Sequence, residues 1–99
     1  MEILNNETFN KVRDCDFWIV DFSASWCGPC RMVSPIVDEI AEERDDIVVG
    51  KINVDNEQEL ARDFGILSIP TLVVLKNGEI INKASGARPK AQIIELLNG

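Results

Sequence analysis

Residues 17–30 read FWIVDFSASWCGPC, and they are the most informative part of the sequence. The first six form a nearly continuous apolar run, typical of a central strand that is covered on both faces. Cys27 and Cys30 follow, three positions apart, at the point where the strand gives way to a helical pattern. At the first turn of a helix, free backbone N–H groups and the helix dipole favour a thiolate, which is the form that attacks disulfides. The pattern predicts a dithiol–disulfide exchange centre, with Cys27 as the nucleophile and Cys30 as the resolving thiol.

A cysteine pair at this spacing has two other uses, a metal site and a structural disulfide. Zinc and iron–sulfur sites normally take four protein ligands, whereas this chain has three cysteines and no histidine. A closed site within one chain is therefore excluded, and only a site shared by two chains stays open. A structural disulfide is a weak alternative, because a ring of so few residues removes little loop entropy.

The remaining residues near the thiols refine the prediction. Pro29 stands early in the predicted helix, where its missing N–H matters least. Neither Gly28 nor Pro29 places a positive charge beside Cys27, and this favours a reductant over an oxidant. The third cysteine, Cys15, stands between two aspartates that disfavour its thiolate. We expect it to be an unreactive spare thiol, with capture of another thiol as the alternative.

Length and composition indicate one small domain, residues 1–99. A chain of this size buries more than about 60% of its unfolded surface, and 45% of its residues are apolar. The net charge is −7, and the ten Lys and Arg are scattered, so nucleic acid and anionic membranes are not expected as partners. Without a basic, apolar-centred leader or a long apolar span, we expect a cytoplasmic protein. The cytosol is reducing, and cysteine pairs there are more often catalytic than structural.

Strand and helix patterns alternate along the chain. The candidate strands are residues 3–4, 17–23, 47–54, 71–75 and 79–83. The candidate helices carry these apolar stripes: Phe9 and Val12; Val33, Ile36, Val37 and Ile40; Leu60, Ala61 and Phe64; Ile93, Ile94, Leu96 and Leu97. Asn77-Gly78 predicts a two-residue hairpin between the last two strands. Pro35 should kink the second helix, Asp55 or Asn56 should cap the third, and Gly65 should end it.

Short motifs along the whole chain match the pattern of one family. They are Val20-Asp21-Phe22; Trp26-Cys27-Gly28-Pro29-Cys30-Arg31-Met32, leading into Pro35; Lys51-Ile52-Asn53-Val54-Asp55; Phe64-Gly65-Ile66; Ile69-Pro70-Thr71; Lys76-Asn77-Gly78-Glu79; and Gly86-Ala87. From about Leu4 onward the chain resembles the thioredoxin family. The resemblance implies an α/β thioredoxin fold, a central mixed five-stranded sheet flanked by four helices on both faces. Two departures are Ser23, often aromatic in the family, and Ser85, often apolar there.

The resemblance also implies roles for two charged residues in apolar strands. Isolated burial of Asp21 would be costly, so from the residues alone it either faces solvent or is kept for a purpose. The family implies a buried general base that helps to deprotonate Cys30, through water. Lys51 is implied as the partner of Asp21, and its alternative is to extend to solvent along its apolar stem.

The implied substrate groove surrounds the dithiol. Its lining would be Trp26, Gly28, Pro29, Ile69, Pro70, Gly86 and Ala87. The family has a cis bond at Ile69-Pro70, which aims the Ile69 backbone at an extended client. The implied activity is that of a general protein-disulfide reductase and electron carrier. It would act as a monomer on disulfide-containing client proteins, with the redox-active disulfide Cys27–Cys30 and no bound cofactor. A thioredoxin reductase, using either a flavin with NADPH or an iron–sulfur centre, would recharge it. A scaffold subunit of the same fold is the alternative from another class.

Overall fold

The computed structural model describes residues 2–3 and 17–98, which form one five-stranded sheet and three helices. The strands are β1 (Glu2–Ile3), β2 (Phe17–Ser23), β3 (Val48–Asn53), β4 (Thr71–Lys76) and β5 (Glu79–Ser85). The helices are α1 (Gly28–Glu43), α2 (Gln58–Asp63) and α3 (Lys90–Leu97). The predicted helix with Phe9 and Val12, and also Cys15, lie outside the described residues.

The sheet is mixed, with β2 at its centre. The strand order is β1-β3-β2-β4-β5; β3 is parallel to β1 and β2, and β4 is antiparallel to β2 and β5. All residues from Trp18 to Phe22 are buried, which confirms the prediction of a strand covered on both faces. The register places Asp21 between Lys51 of β3 and Leu72 of β4. Neighbours across a ladder point to the same face, so Asp21 and Lys51 share one side of the sheet.

Each face of the sheet has its own apolar core. On one face, Trp18, Val20 and Phe22 pack with Leu60 of α2. The other face packs against α1 and α3, and its buried residues are Ile19, Val33, Val37, Ile40, Ile47, Val49, Leu72, Val74, Ile93 and Leu97. Asp21 alternates with the first group along β2, and so it lies on the face covered by α1.

Helix α1 carries the cysteine pair at its first turn. Cys27 is the N-cap, Pro29 lies in the first turn, and the helix continues through Pro35 to Glu43. The predicted stripe faces the core, with Val33, Val37 and Ile40 buried and Ile36 half-buried. The strand-to-helix turn therefore holds both thiols at the end of β2, as the sequence predicts.

Two local features complete the fold. Asn77 and Gly78 both have positive φ, +54° and +82°, which the predicted two-residue hairpin needs. Gly65 follows the last turn of α2 with φ +64°, also as predicted. The N-cap of α2 is Glu57, so the prediction of Asp55 or Asn56 at that position is wrong. Between residues 17 and 98, no helix is both long enough and apolar enough to cross a membrane.

Candidate active site

The two thiols lie on one turn at the start of α1. The backbone N–H of Cys30 donates a hydrogen bond to Cys27 Sγ over 3.3 Å, and both cysteines are free thiols. The turn is closed by Cys27 N–H donating to the Ala24 carbonyl (3.2 Å) and by Arg31 N–H donating to the Cys27 carbonyl (3.3 Å). A helix N-cap that receives a backbone N–H is a favourable place for negative charge. The arrangement directs a backbone N–H at Cys27 Sγ and places a second sulfur beside it.

Cys30 is held as a thiol by its surroundings. Only 2% of the residue is exposed. Burial raises the pKa of this thiol to about 11, with further contributions in the same direction from Cys27 and Asp21. The two sulfurs therefore differ: Cys27 Sγ receives a backbone N–H at the helix N-cap, whereas burial disfavours ionisation of Cys30.

Asp21 is a buried titratable group whose charge acts on Cys30. Its exposure is 0%, and neither carboxylate oxygen has a hydrogen-bond partner within the described part of the chain. Burial raises its pKa from 3.8 to about 6; the charge of Lys51 opposes this rise and the charge of Asp38 adds to it. Of the two placements that the sequence left open for Asp21, the structure has the buried one.

Lys51 is next to Asp21 in the sheet but bonds elsewhere. The register pairs the two residues directly, and the Lys51 side chain is 19% exposed. Its ammonium donates to Ser34 Oγ and, over 3.1 Å, to Asp38 Oδ2. The structure thus joins Lys51 to α1 by hydrogen bonds, while its effect on Asp21 acts through space.

A polar cleft runs beside Cys30. Its volume is about 460 Å³, and its lining includes Ser23, Ser25, Cys30, Arg31, Ser34 and Asn53. The Arg31 guanidinium forms one edge by donating to the Ser25 carbonyl through Nε (3.2 Å) and a terminal nitrogen (2.8 Å). The hydroxyl side chains of Ser23, Ser25 and Ser34 line this space together with the Cys30 thiol.

The predicted groove residues lie on the other side of the dithiol. Trp26 is 68% exposed, and its Nε1–H donates to Asp55 Oδ2 over 2.7 Å. Trp26 and Ile69 line a second, more apolar cavity of about 190 Å³. Ile69 packs against the cluster of Ala24, Cys27 and Cys30, and its bond to Pro70 is cis, as the resemblance implies.

The remaining groove residues follow the same edge. Gly86 has φ +93°, and its N–H donates to the Pro70 carbonyl over 2.8 Å. Gly28, Pro29 and Ala87 are exposed. Exposed backbone and small side chains at this edge leave room for another polypeptide to approach the sulfurs.

Three residues of the site were not foreseen from the sequence. Ser34 and Asp38 bind the ammonium of Lys51, and Asp55 binds the indole of Trp26. Ser34 and Asp38 stand four and eight positions after Cys30, which puts them on its side of the helix; that spacing was the available signal. Asp55 is 29 residues from Trp26, and no local pattern connects them. Within residues 2–3 and 17–98, no three His, Cys, Asp or Glu side chains gather as a metal-binding group.

Comparison with known proteins gives one family. The thioredoxin family model matches residues 1–99. A thioredoxin of Pyropia yezoensis is 54% identical over 81 residues, which are 81% of this chain and 76% of that protein. A thioredoxin of Listeria monocytogenes is 41% identical over 96 residues, 96% of this chain and 93% of that protein. The X-ray structure of Fasciola hepatica thioredoxin superposes with a TM-score of 0.90 at 30% identity, covering 99% of this chain and 97% of that one.

These matches extend over the sheet, the helices and the cysteine turn together. They confirm the fold class predicted from the sequence. They also agree with the geometry of the turn, where a backbone N–H donates to Cys27 Sγ and burial raises the pKa of Cys30. The chain belongs to the thioredoxin family and is a protein dithiol–disulfide oxidoreductase, which carries electrons on a pair of thiols.

Proposed function

We propose that the chain is a general protein-disulfide reductase in which Cys27 attacks and Cys30 resolves. The hydrogen bond from Cys30 N–H to Cys27 Sγ at the helix N-cap carries this assignment. It favours the thiolate at Cys27, and the thiolate is the nucleophile in disulfide exchange. The raised pKa of Cys30, about 11, keeps that sulfur protonated until its turn in the reaction.

The reaction then has two exchange steps. The Cys27 thiolate attacks one sulfur of the client disulfide; a Cys27–client disulfide forms, and the other client sulfur leaves as a thiolate. Cys30 next gives up its proton and attacks Cys27 Sγ, which forms the Cys27–Cys30 disulfide and releases the second client thiolate. Two electrons have passed from the dithiol to the client.

Asp21 is proposed as the general base for Cys30. It is fully buried, its oxygens are free of hydrogen bonds to described residues, and its charge acts on Cys30. With a pKa of about 6, it is mostly ionised at neutral pH but still basic enough to accept a proton. Lys51 stabilises the ionised form electrostatically, as a partner without a direct hydrogen bond. The proton passes between the two side chains through water, as the resemblance to the family implies.

The partners follow from this chemistry. Client proteins bind in extended form across Trp26, Gly28, Pro29, Ile69, Pro70, Gly86 and Ala87, and pair with the Ile69 backbone. The electrons reside on the two sulfurs, so no bound cofactor is needed. A separate thioredoxin reductase reduces the Cys27–Cys30 disulfide again. We further propose that the protein is a cytoplasmic monomer.

Trapping of mixed disulfides tests the division of labour. Cys30→Ser should attack a disulfide-containing client such as insulin and stall as a covalent complex on Cys27, whereas Cys27→Ser should form no complex and show no turnover. The double variant is the matched control for background thiol reactions. Equal accumulation of complexes in the two single variants would contradict the assignment.

A further inference from the structure

Three polar residues form a row along α1, facing β2 and β3. Cys30, Ser34 and Asp38 are spaced four residues apart and therefore lie one above the other on the same side of the helix. Cys30 is buried at one end, and Asp38 is 38% exposed at the other. Ser34 lies between them and lines the polar cleft together with Cys30.

Ser34 and Asp38, two residues of this row, bind the ammonium of Lys51. Its Nζ donates to Ser34 Oγ and to Asp38 Oδ2 at 3.1 Å, and Asp38 Oδ1 is 3.0 Å away. An ammonium has three donors, and these contacts direct it toward α1. Ser34 and Asp38 therefore determine where the positive charge of Lys51 resides.

This placement affects Asp21, the neighbour of Lys51 in the sheet. A lysine next to a buried carboxylate would normally form a contact ion pair with it, since an unpaired buried charge is costly. Here both oxygens of Asp21 are without a hydrogen-bond partner in the described residues. The ammonium that could have bonded to them is hydrogen-bonded to α1 instead.

We propose that Ser34 and Asp38 are positioning residues for disulfide exchange: by fixing the Lys51 ammonium on α1, they keep it out of contact with Asp21 and so set how readily Asp21 accepts the proton of Cys30. The inference rests on the proposed role of Asp21 as the general base. Ser34 acts only by anchoring the ammonium. Asp38 acts both in this way and through its own negative charge.

The groups around Asp21 give the direction of the effect. Lys51 of β3 faces it with a positive charge, Asp38 of α1 with a negative one, and Cys30 of α1 with a thiol, while its β4 neighbour, Leu72, is apolar. An ammonium released from α1 moves closer to the carboxylate and stabilises its ionised form. Loss of either anchor should therefore make Asp21 titrate at lower pH, and loss of Lys51 should make it titrate at higher pH.

The test is a titration of the Asp21 carboxyl by ¹³C NMR in the reduced protein, with the signal assigned from Asp21→Asn. Ser34→Ala should lower the titration midpoint by about half a pH unit, and Asp38→Asn by about one unit. Lys51→Met should raise it. Glu42→Gln, which removes one negative charge from an exposed position of the same helix, is the matched control and should leave the midpoint within about 0.2 units.

A double variant isolates the anchoring itself. Once Lys51 is replaced by Met, Ser34→Ala has no ammonium to release and should no longer move the Asp21 midpoint. In the wild-type background, Ser34→Ala should also shift the pH profile of mixed-disulfide resolution to lower pH, by the same amount as the Asp21 midpoint. A purely structural role of Ser34 would not make either shift depend on Lys51.

The outcomes separate this inference from the proposed function. If Ser34→Ala titrates like the wild type, or shifts equally in the Lys51→Met background, the positioning role is refuted. If Asp21→Asn resolves mixed disulfides at the wild-type rate, the general-base role is refuted, and a positioning role in exchange falls with it. Slow resolution in Asp21→Asn with unshifted Ser34→Ala would refute the positioning role alone.

Discussion

Asp21→Asn should stabilise the protein at neutral pH, although it removes a group of the active site. The folded-state pKa of Asp21 is raised from 3.8 to about 6 by burial. A carboxyl with a raised folded pKa binds its proton more tightly when folded, so ionisation opposes folding. This cost is absent below the unfolded pKa, grows as pH rises from about 4 to about 6, and is constant above that range.

The size of the effect follows from the same shift. A difference of about two pKa units corresponds to about 3 kcal/mol at pH 7. Asn has nearly the shape of the protonated carboxyl but never ionises, so the advantage of Asp21→Asn should be small at pH 4 and grow by about 2.5 kcal/mol by pH 7. With an m-value of about 2 kcal/mol/M in urea, the denaturation midpoint of the variant should move by about 1.2 M relative to wild type between these pH values.

Urea denaturation of the reduced proteins, followed by far-UV circular dichroism at several pH values, measures this difference. The pH-dependent part is the informative quantity, because a buried amide without partners carries a pH-independent cost of its own. Asp45→Asn, at an exposed position after α1, controls for the general loss of one negative charge. A stability difference between Asp21→Asn and wild type that stays flat from pH 4 to pH 7 would refute the argument from desolvation.

Three further outcomes are expected. Reduction of the disulfide should raise tryptophan emission, because the indole of Trp26 adjoins Cys27. Trp26→Phe should abolish this change and leave only the constant signal of buried Trp18. A change that persists in this variant would contradict the placement of Trp26 beside Cys27. Gly86→Ala should lower the free energy of unfolding by about 1 kcal/mol or more. The φ angle of Gly86 is +93°, so a β-carbon there is strained even though the space around it is open. An unchanged urea midpoint would show that the loop relaxes. Cys15→Ser should leave insulin reduction nearly unchanged, and a large loss of turnover would show that this thiol takes part.

Much of the fold was predictable because its signals are local. The apolar run before the cysteines gave β2 with the bounds later observed, residues 17–23. The Asn77-Gly78 dipeptide predicted its hairpin because few residues tolerate positive φ at both positions. Strand ends were less accurate: β5 runs to Ser85, beyond the predicted end at Lys83. Its ladder with β4 is interrupted between Val74 and Leu75, and such an irregularity depends on pairing between strands.

The wrong cap of α2 has a physical reason. Asp55 has the side chain of a good N-cap, and sequence reasoning placed it or Asn56 there. In the folded chain, however, the Asp55 carboxylate accepts the hydrogen bond of the Trp26 indole, which comes from another part of the sequence. Residues 54–56 also form a turn, in which the N–H groups of Asn56 and Glu57 both donate to the Asn53 carbonyl. The helix therefore begins only at Gln58, too late for either predicted residue to cap it.

The sequence by itself determined the fold class, the dithiol and the location of both sulfurs on a strand-to-helix turn, because these depend on periodicity and on spacing within a few residues. Only the tertiary structure decided the electrostatics around them. Whether Asp21 is buried, and whether Lys51 bonds to Asp21 or to Ser34 and Asp38, depends on which helix covers which strand. Such choices follow from distances between elements far apart in the chain, and charge energies change steeply with those distances and with exclusion of water.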